Sequence, residues 1–216
     1  MNFSEIVVQS IISRPFEENA YLVHRKNSAA CFLVDPGTEP QKMIESIESS
    51  KLKLEAILVT HGHYDHIGGI GAIKDIWNDC KIYIGKEEER KLTDPKQNLS
   101  AQFGIGLTAP EADILLQDGD KLEIAGIPIE VRHAPGHSKG HVLYLLPTEP
   151  KAILFAGDVI FEQSIGRSDF FDGNHLELIQ SITKQILSLP DDTVIYSGHG
   201  NSTTVGAERR HNPFLA

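Results

Sequence analysis

The sequence predicts an α/β chain in which two β-sheets pack together with helices outside. Short runs rich in β-branched and aromatic residues recur from end to end, bounded by Gly, Pro or charged turns. Only a few stretches between them carry apolar residues at helical spacing. Strands therefore outnumber helices, which a simple alternating β/α barrel does not allow. At 216 residues, with 40% hydrophobic and 23% charged, the chain is long enough to bury a sizeable core, and 1–216 reads as one domain.

The runs "EIVVQSII", "AYLVH", "CFLVDPG" and "EAILVT" read as the first strands. A helix over 40–50 follows from Met43, Ile44 and Ile47, and another over 69–77 from Ile70, Ile73 and Trp77. Strands resume at "KIYIG", "KLEIAGIPIEVRH", "HVLYLL", "KAILFAGD" and "TVIYSGHG". The last helix, 174–187, is expected to bury Leu176, Ile179, Ile182 and Ile186, with Asn174 or Asp172 as its N-cap. Residues 93–112 show no period, and a loop of that length reads as a wall or lid of a site, or as an irregular surface excursion.

Composition excludes several functions. Against 20 Lys and Arg stand 30 Asp and Glu, a net charge of −10, which repels phosphate backbones and argues against nucleic acid. The densest basic spot, "ERRH" near the C-terminus, reads as a solvated tail. No run approaches the roughly 18 to 20 apolar residues a membrane span needs, and the N-terminus lacks a secretory pattern. A cytoplasmic protein with no membrane partner is the expectation. Cys31 and Cys80 sit beside apolar runs and read as packed, reduced thiols.

The stretch "THGHYDHIGG" holds His61, His63, Asp65 and His66 directly after a strand-like run and before a glycine pair and helix. A strand-to-helix turn can aim all four side chains into one place, with His61 and His63 on one side and Asp65 and His66 on another. Imidazole nitrogen and carboxylate oxygen together suit zinc, iron or manganese, and two groups of ligands imply two metals. Crowding three imidazoles without a metal would leave polar groups seeking partners. Further ligands stand where strands give way to glycine-bearing loops: His137 in "RHAPGHSKGH", Asp158 after "AILFAG" and His199 in "TVIYSGHG". With two oxygens, the Asp158 carboxylate can bridge two ions.

Taken together, THGHYDH, GH at 137, GD at 158 and GHG at 198–200 resemble the metallo-β-lactamase superfamily, and within it the glyoxalase II-like branch. The likeness runs from "ENAYLVH" and "LVDPG" through "FAGDVIFEQSIGRSDF" to "ERRHNPFL". It implies a four-layer αββα sandwich of two mixed sheets. It implies one metal on His61, His63 and His137, a second on Asp65, His66 and His199, and Asp158 between them. Zinc is the first expectation for both ions. The implied activity is thioester hydrolysis by hydroxide shared between two cations, with Asp65 and Asp158 in the catalytic centre and a small-molecule thioester, such as an acyl-glutathione, as substrate.

An Asp at 158 argues against a β-lactam hydrolase, and nucleic-acid-processing relatives carry further domains. Glutathione thioesterases of the family have a basic helical C-terminus and an aromatic residue after the last histidine motif, whereas Gly200 and Asn201 follow His199 and the sequence ends at "NPFLA". Weak binding of the glutathione portion is therefore expected. In "SIGRSDF", Arg167 either clamps an anionic substrate group or pairs with Asp169, and Tyr64 either faces the substrate or packs. "GRSDF" also resembles the persulfide dioxygenases, with one iron on the equivalents of His61, His137 and Asp158. A binding module on a dead enzyme fold is disfavoured, because every ligand position is filled. Asp35 is expected to accept a hydrogen bond from a ligand imidazole. His133 reads as support or turn packing, His141 as the opening of a strand, and His24, His175 and His211 as surface or strand-end residues.

Overall fold

The structure is a computed structural model that describes residues 1–215. Its first half contains strands β1 (Ile6–Ser13), β2 (Glu18–Arg25), β3 (Ala30–Val34), β4 (Lys53–Val59), β5 (Lys81–Gly85) and β6 (Ile114–Leu116), with helices α1 (Pro40–Ser50), α2 (Tyr64–Ile67) and α3 (Ile70–Ile76). These strands form one sheet in sequence order, antiparallel up to β3 and parallel from there on. The second half contains β7 (Lys121–Ile124), β8 (Ile127–His133), β9 (Val142–Leu146), β10 (Ile153–Gly157), the small ribbon of β11 (Ile160–Phe161) and β12 (Ser164–Ile165), helix α4 (His175–Ser181), β13 (Val194–Ser197), β14 (Thr203–Thr204) and helix α5 (Val205–His211). Its sheet runs β14-β13-β10-β9-β8-β7 and is also mixed, since β10 and β13 are parallel.

Alternation along each strand explains the layers. Val23, Phe32 and Leu58 of the first sheet meet Val131, Tyr144 and Phe155 of the second in the central layer. The intervening residues Leu22, Leu33, Ile57 and Val59 face outward against Met43, Ile47, Ile70 and Ile73 of α1 and α3. On the far side Leu143, Leu145, Leu154 and Ile195 meet Leu178 of α4 and Ile182 and Ile186 just beyond it. Both faces of the inner strands are covered, so their sequences read as near-continuous apolar runs. The αββα sandwich is therefore the observed architecture. Cys31 and Cys80 are buried and unpaired, as expected.

Three expectations need correction. The run 121–133 is a hairpin, not one strand: Ala125 and Gly126 take φ of 52° and 69°, the paired left-handed conformation of a tight two-residue turn. On α4, capped by Asn174 as expected, Leu178 faces the core and Leu176 is 72% exposed. Two residues along a helix turn the side chain by about 200°, so both cannot face one way. Finally, "ERRH" is no tail. It lies in α5, whose Thr204 cap accepts from Ala207 N and whose Glu208 is buried, accepting from Thr203 Oγ1 at 2.6 Å, Asn212 Nδ2 at 2.8 Å and Gln163 N at 2.9 Å. A two-turn helix with one buried carboxylate shows no apolar stripe to read.

Truncating Phe155, fully buried between the sheets, to Ala is expected to destabilise the fold by about 3 to 5 kcal/mol in denaturant titration. Leu176→Ala should stay within about 0.5 kcal/mol of the parent. A large effect of the second substitution would restore the side-chain order expected from sequence.

Candidate metal centre

Every candidate ligand lies just past the C-terminal end of a strand. His61 and His63 follow β4, and Asp65 and His66 begin the short α2 that β4 turns into. His137 sits in the loop from β8 to β9, Asp158 directly follows β10, and His199 follows β13. The site therefore lies at one end of the sandwich, with its first four residues from one sheet and the last three from the other.

All seven converge. His137 Nε2 lies 3.2 Å from His61 Nε2 and 3.0 Å from His63 Nδ1. Asp65 Oδ2 lies 3.5 Å from His199 Nε2 and 3.9 Å from His66 Nε2. Asp158 stands between the groups, its Oδ1 3.4 Å from His66 Nε2 and its Oδ2 3.7 Å from His137 Nε2 and 3.6 Å from His199 Nε2. His61, His63 and His137 could hold one ion, and Asp65, His66 and His199 another.

The donor chemistry fits cations. His137 Nδ1 donates to the Arg167 carbonyl at 2.9 Å, and His199 Nδ1 donates to the Phe16 carbonyl at 3.0 Å. His66 Nδ1 donates to Asp35 Oδ2 at 3.1 Å. Thr60 Oγ1 gives its own proton to Asp35 Oδ2 at 2.6 Å and so accepts His61 Nδ1–H at 3.1 Å. In these four rings, when neutral, the proton is thus on Nδ1 and the Nε2 lone pair points inward, whereas His63 turns Nδ1 toward His137. Lone pairs and carboxylate oxygens crowded together repel unless a cation lies among them. His66 Nε2 and Asp158 Oδ1 are accordingly buried with no hydrogen-bond partner.

Burial holds the imidazoles of His61 and His63 well below the ordinary range, with neighbouring imidazoles acting the same way, and burial also lowers His137. Burial disfavours protonation of His66, but the carboxylates of Asp158 and Asp65 outweigh it and raise that ring well above the usual value. His199 is raised likewise, with Asp65 and Asp158 overcoming burial. For Asp158, burial opposes ionisation, yet His66, His137 and His199 hold its carboxyl well below the usual carboxylate range.

Supporting groups explain why the ligands meet. Asp35 Oδ1 accepts from Thr60 N at 2.7 Å while Oδ2 serves Thr60 Oγ1 and His66, so the carboxylate expected to orient one imidazole orients two. His141, read only as a strand start, is buried, stacks on His61 at 4.8 Å, and through Nε2 accepts the Asp158 N–H at 3.2 Å. His133, the last residue of β8, contacts the Lys139 carbonyl of the following turn at 3.0 Å. Sequence reasoning missed Glu88. Fully buried in the charged run "KEEERKL", it accepts from Gly62 N and Gly140 N, both at 2.8 Å, and pairs with buried Lys91 at 3.0 Å. It thereby ties the His61–His63 loop to the His137 loop. Nothing in the run marks which of its carboxylates turns inward. Gly198 is required by packing, since a Cβ there would strike Asp158 Oδ1.

A cleft of about 360 Å³ opens onto the centre, lined by His63, Asp65, His137, Asp158 and His199 at its floor. Tyr64 packs in its wall with Phe16, centroids 5.3 Å apart, and Phe103, also at 5.3 Å. Leu99 and Phe103 bring the 93–112 segment into that wall. Arg167 reaches the cleft but binds Asp169 through two contacts of 2.9 Å and lies over the Phe170 ring.

The chain was compared with known proteins. The family model described as Metallo-beta-lactamase superfamily matches residues 13–199. The hydroxyacylglutathione hydrolase GloC of Haemophilus influenzae is 36% identical over 208 residues, covering 93% of each chain. The solved structure of BLEG-1 B3 metallo-beta-lactamase superposes with a TM-score of 0.92 at 39% identity, over 97% of this chain and all of that one. TTHA1623 in a di-iron-bound form superposes at 0.82 with 34% identity, over 96% of this chain and all of its own.

Two outcomes follow from the geometry. Neighbouring carboxylates strengthen proton binding by His66 and His199, whereas burial weakens it for His61, His63 and His137. A cation entering the Asp65–His66–His199 group therefore competes with protons more strongly, so lowering the pH from about 8 to about 6 should release metal from that group first. Zinc titrations followed by calorimetry in buffers of different ionisation enthalpy would show this, and equal pH dependence of both sites would refute it. Glu88→Gln, which removes one of two amide acceptors and leaves Lys91 under-paired, is expected to weaken metal retention about 10- to 100-fold in competition with a chelator.

Proposed function

The chain belongs to the metallo-β-lactamase superfamily, and from that premise we propose that it is a binuclear metal-dependent thioesterase of glyoxalase II type. The observation that carries this reading is the inward convergence of two ligand groups with Asp158 between them. The likeness to GloC supports the thioester substrate. His61, His63 and His137 would hold one ion, Asp65, His66 and His199 the other, and Asp158 would bridge. Zinc is the proposed metal, and the di-iron form of a 34% identical protein makes iron the specific competitor.

Two divalent cations in these groups would supply hydroxide at neutral pH and polarise the substrate carbonyl. The chain's own residues do the rest. Asp65, partly accessible at the cleft floor, is placed to accept a hydrogen bond from the attacking water and fix its direction. Addition to the thioester carbonyl and departure of the thiolate yield the carboxylic acid, whose proton is lost to solvent. The weakly basic thiolate needs no protonation, so the cleft needs no general acid.

BLEG-1, at 39% identity, favours a second reading, β-lactam hydrolysis, against the expectation drawn from Asp158. The resemblance of "GRSDF" to persulfide dioxygenases supplies a third. The deciding experiment measures metal content of protein purified without added metal, together with turnover of acyl thioesters, a cephalosporin, and glutathione persulfide with oxygen uptake. Two metals per chain and thioester turnover alone are expected.

Asp158→Ala should lose both metal and turnover, because two cations without the shared carboxylate repel at close range. An active variant with two bound ions would remove Asp158 from the bridging role. Lactoylglutathione compared with the same acyl group on a truncated thiol should show little benefit from the glutathione portion. Arg167 is engaged with Asp169, and each absent charge-assisted contact forfeits roughly 1.5 to 3 kcal/mol. Two such losses raise KM on the order of a hundredfold with kcat retained. A strong preference for the glutathione substrate would show that the cleft does supply those contacts.

A further inference from the structure

We propose that the wall formed by Phe16, Tyr64 and Phe103 is a subsite for an apolar acyl group, so that the favoured thioesters carry a medium-chain or aryl acyl group in place of a small hydroxylated one. This rests on the thioesterase reading and names its substrate class.

The wall grows directly out of the ligand-bearing backbone. Tyr64 stands between His63 and Asp65 in the chain, and the carbonyl of Phe16 is the acceptor for His199 Nδ1–H. These rings line the cleft at the centre together with Phe170, whose centroid is 4.9 Å from that of His63. The wall is open at two of its rings: Phe103 is 58% exposed and Phe16 38%, with neighbouring Ile105 at 54%, whereas Tyr64 is buried. Large exposed apolar side chains gathered at the mouth of a polar site mark a binding surface.

A groove of about 500 Å³ continues beyond the wall, sharing Phe16, Tyr64 and Phe103 with the cleft and lined further by Pro15, Ile105 and Leu107. Its lining is largely apolar, with Arg14 the one cation along it, so an acyl chain that passes over the exposed Phe16 and Phe103 rings stays in apolar contact. The wall offers little to a hydroxyl. Tyr64 Oη is buried and without a partner, facing away from solvent behind the other rings. Arg167 also lines the cleft and is paired with Asp169, each with a side chain 69% exposed. A polar carrier thiol that must leave into water suits these exposed charged groups, which assigns the aromatic wall to the acyl group.

The test uses zinc-loaded protein and thioesters of N-acetylcysteamine, which hold the thiol constant. From acetyl to hexanoyl, kcat/KM is expected to rise at least tenfold, since each fully buried methylene is worth roughly fourfold, and lactoyl should do no better than acetyl. Phe103→Ala should bring the hexanoyl-to-acetyl ratio below about threefold, and Phe103→Leu should restore most of it. A wild-type ratio near one, or a ratio untouched by Phe103→Ala, would overturn the proposal. If no thioester is turned over, the thioesterase reading fails by itself, and calorimetric binding of hexanoate against acetate then decides the subsite. Tighter hexanoate binding by about tenfold, lost in Phe103→Ala, would uphold it, and equal binding would overturn it.

Discussion

For His61, His66, His137 and His199 an acceptor for the Nδ1–H dictates where the Nε2 lone pair points. Asp35 is the centre of this constraint. It follows β3 at a φ of 47°, a conformation that aspartate tolerates better than most residues. From there its two oxygens accept from Thr60 N, Thr60 Oγ1 and His66 Nδ1. One carboxylate thus fixes the start of the ligand loop, one ring directly and a second through the threonine hydroxyl. The carbonyls of Arg167 and Phe16 do the same for His137 and His199. Without these acceptors the rings could rotate, and the inward convergence of the candidate ligands would be lost.

The two sheets deliver these pieces because each ends a covered strand at the same rim. Tyr144, fully buried between them, donates from its hydroxyl to the Val59 carbonyl at 2.7 Å, holding the last residue of β4 against the second sheet. Asn19 and Tyr21 reach the Ser197 carbonyl at 3.1 and 2.5 Å and tie the end of β13 to the first sheet. Glu88 closes the remaining gap between the loops of Gly62 and Gly140. A buried carboxylate paired with Lys91 is costly in isolation. Its use at this place is geometric, since two backbone amides from different sheets meet on one group.

The candidate ligands lie at the floor of the cleft, and its walls are largely aromatic, with Arg167 and Ser164 among them. The partition follows from how each is built. The floor comes from strand ends, where backbone and side-chain polar groups are satisfied by one another. The wall comes from a turn at Phe16 and from the irregular 93–112 segment, anchored by Asn98, whose side chain reaches the carbonyls of Lys91 and Leu107 at 2.9 and 3.0 Å. The polar groups of the floor thus come from strand ends, and most of the wall from loops.

The sequence by itself determined the long covered strands and the seven converging side chains, but not the turn that splits 121–133 or the short strands β6, β11, β12 and β14. Apolar runs covered on both faces are legible residue by residue, and histidines and aspartates that follow such runs with an adjacent glycine can be aimed at one point. Asp35 was legible for the same reason, as a carboxylate at a strand end. The roles of Glu88, Lys91 and His141, the outward turn of Leu176, the helix over "ERRH" and the aromatic wall were decided by tertiary structure. In each of these, the local pattern is compatible with solvent or with core, and only the approach of a distant segment settles it. Glu88 is one glutamate among three until Gly62 and Gly140 bring their amides to it. Local spacing encodes which groups can share a face. Burial and partnership are set by which surfaces meet, and those surfaces lie far apart along the chain.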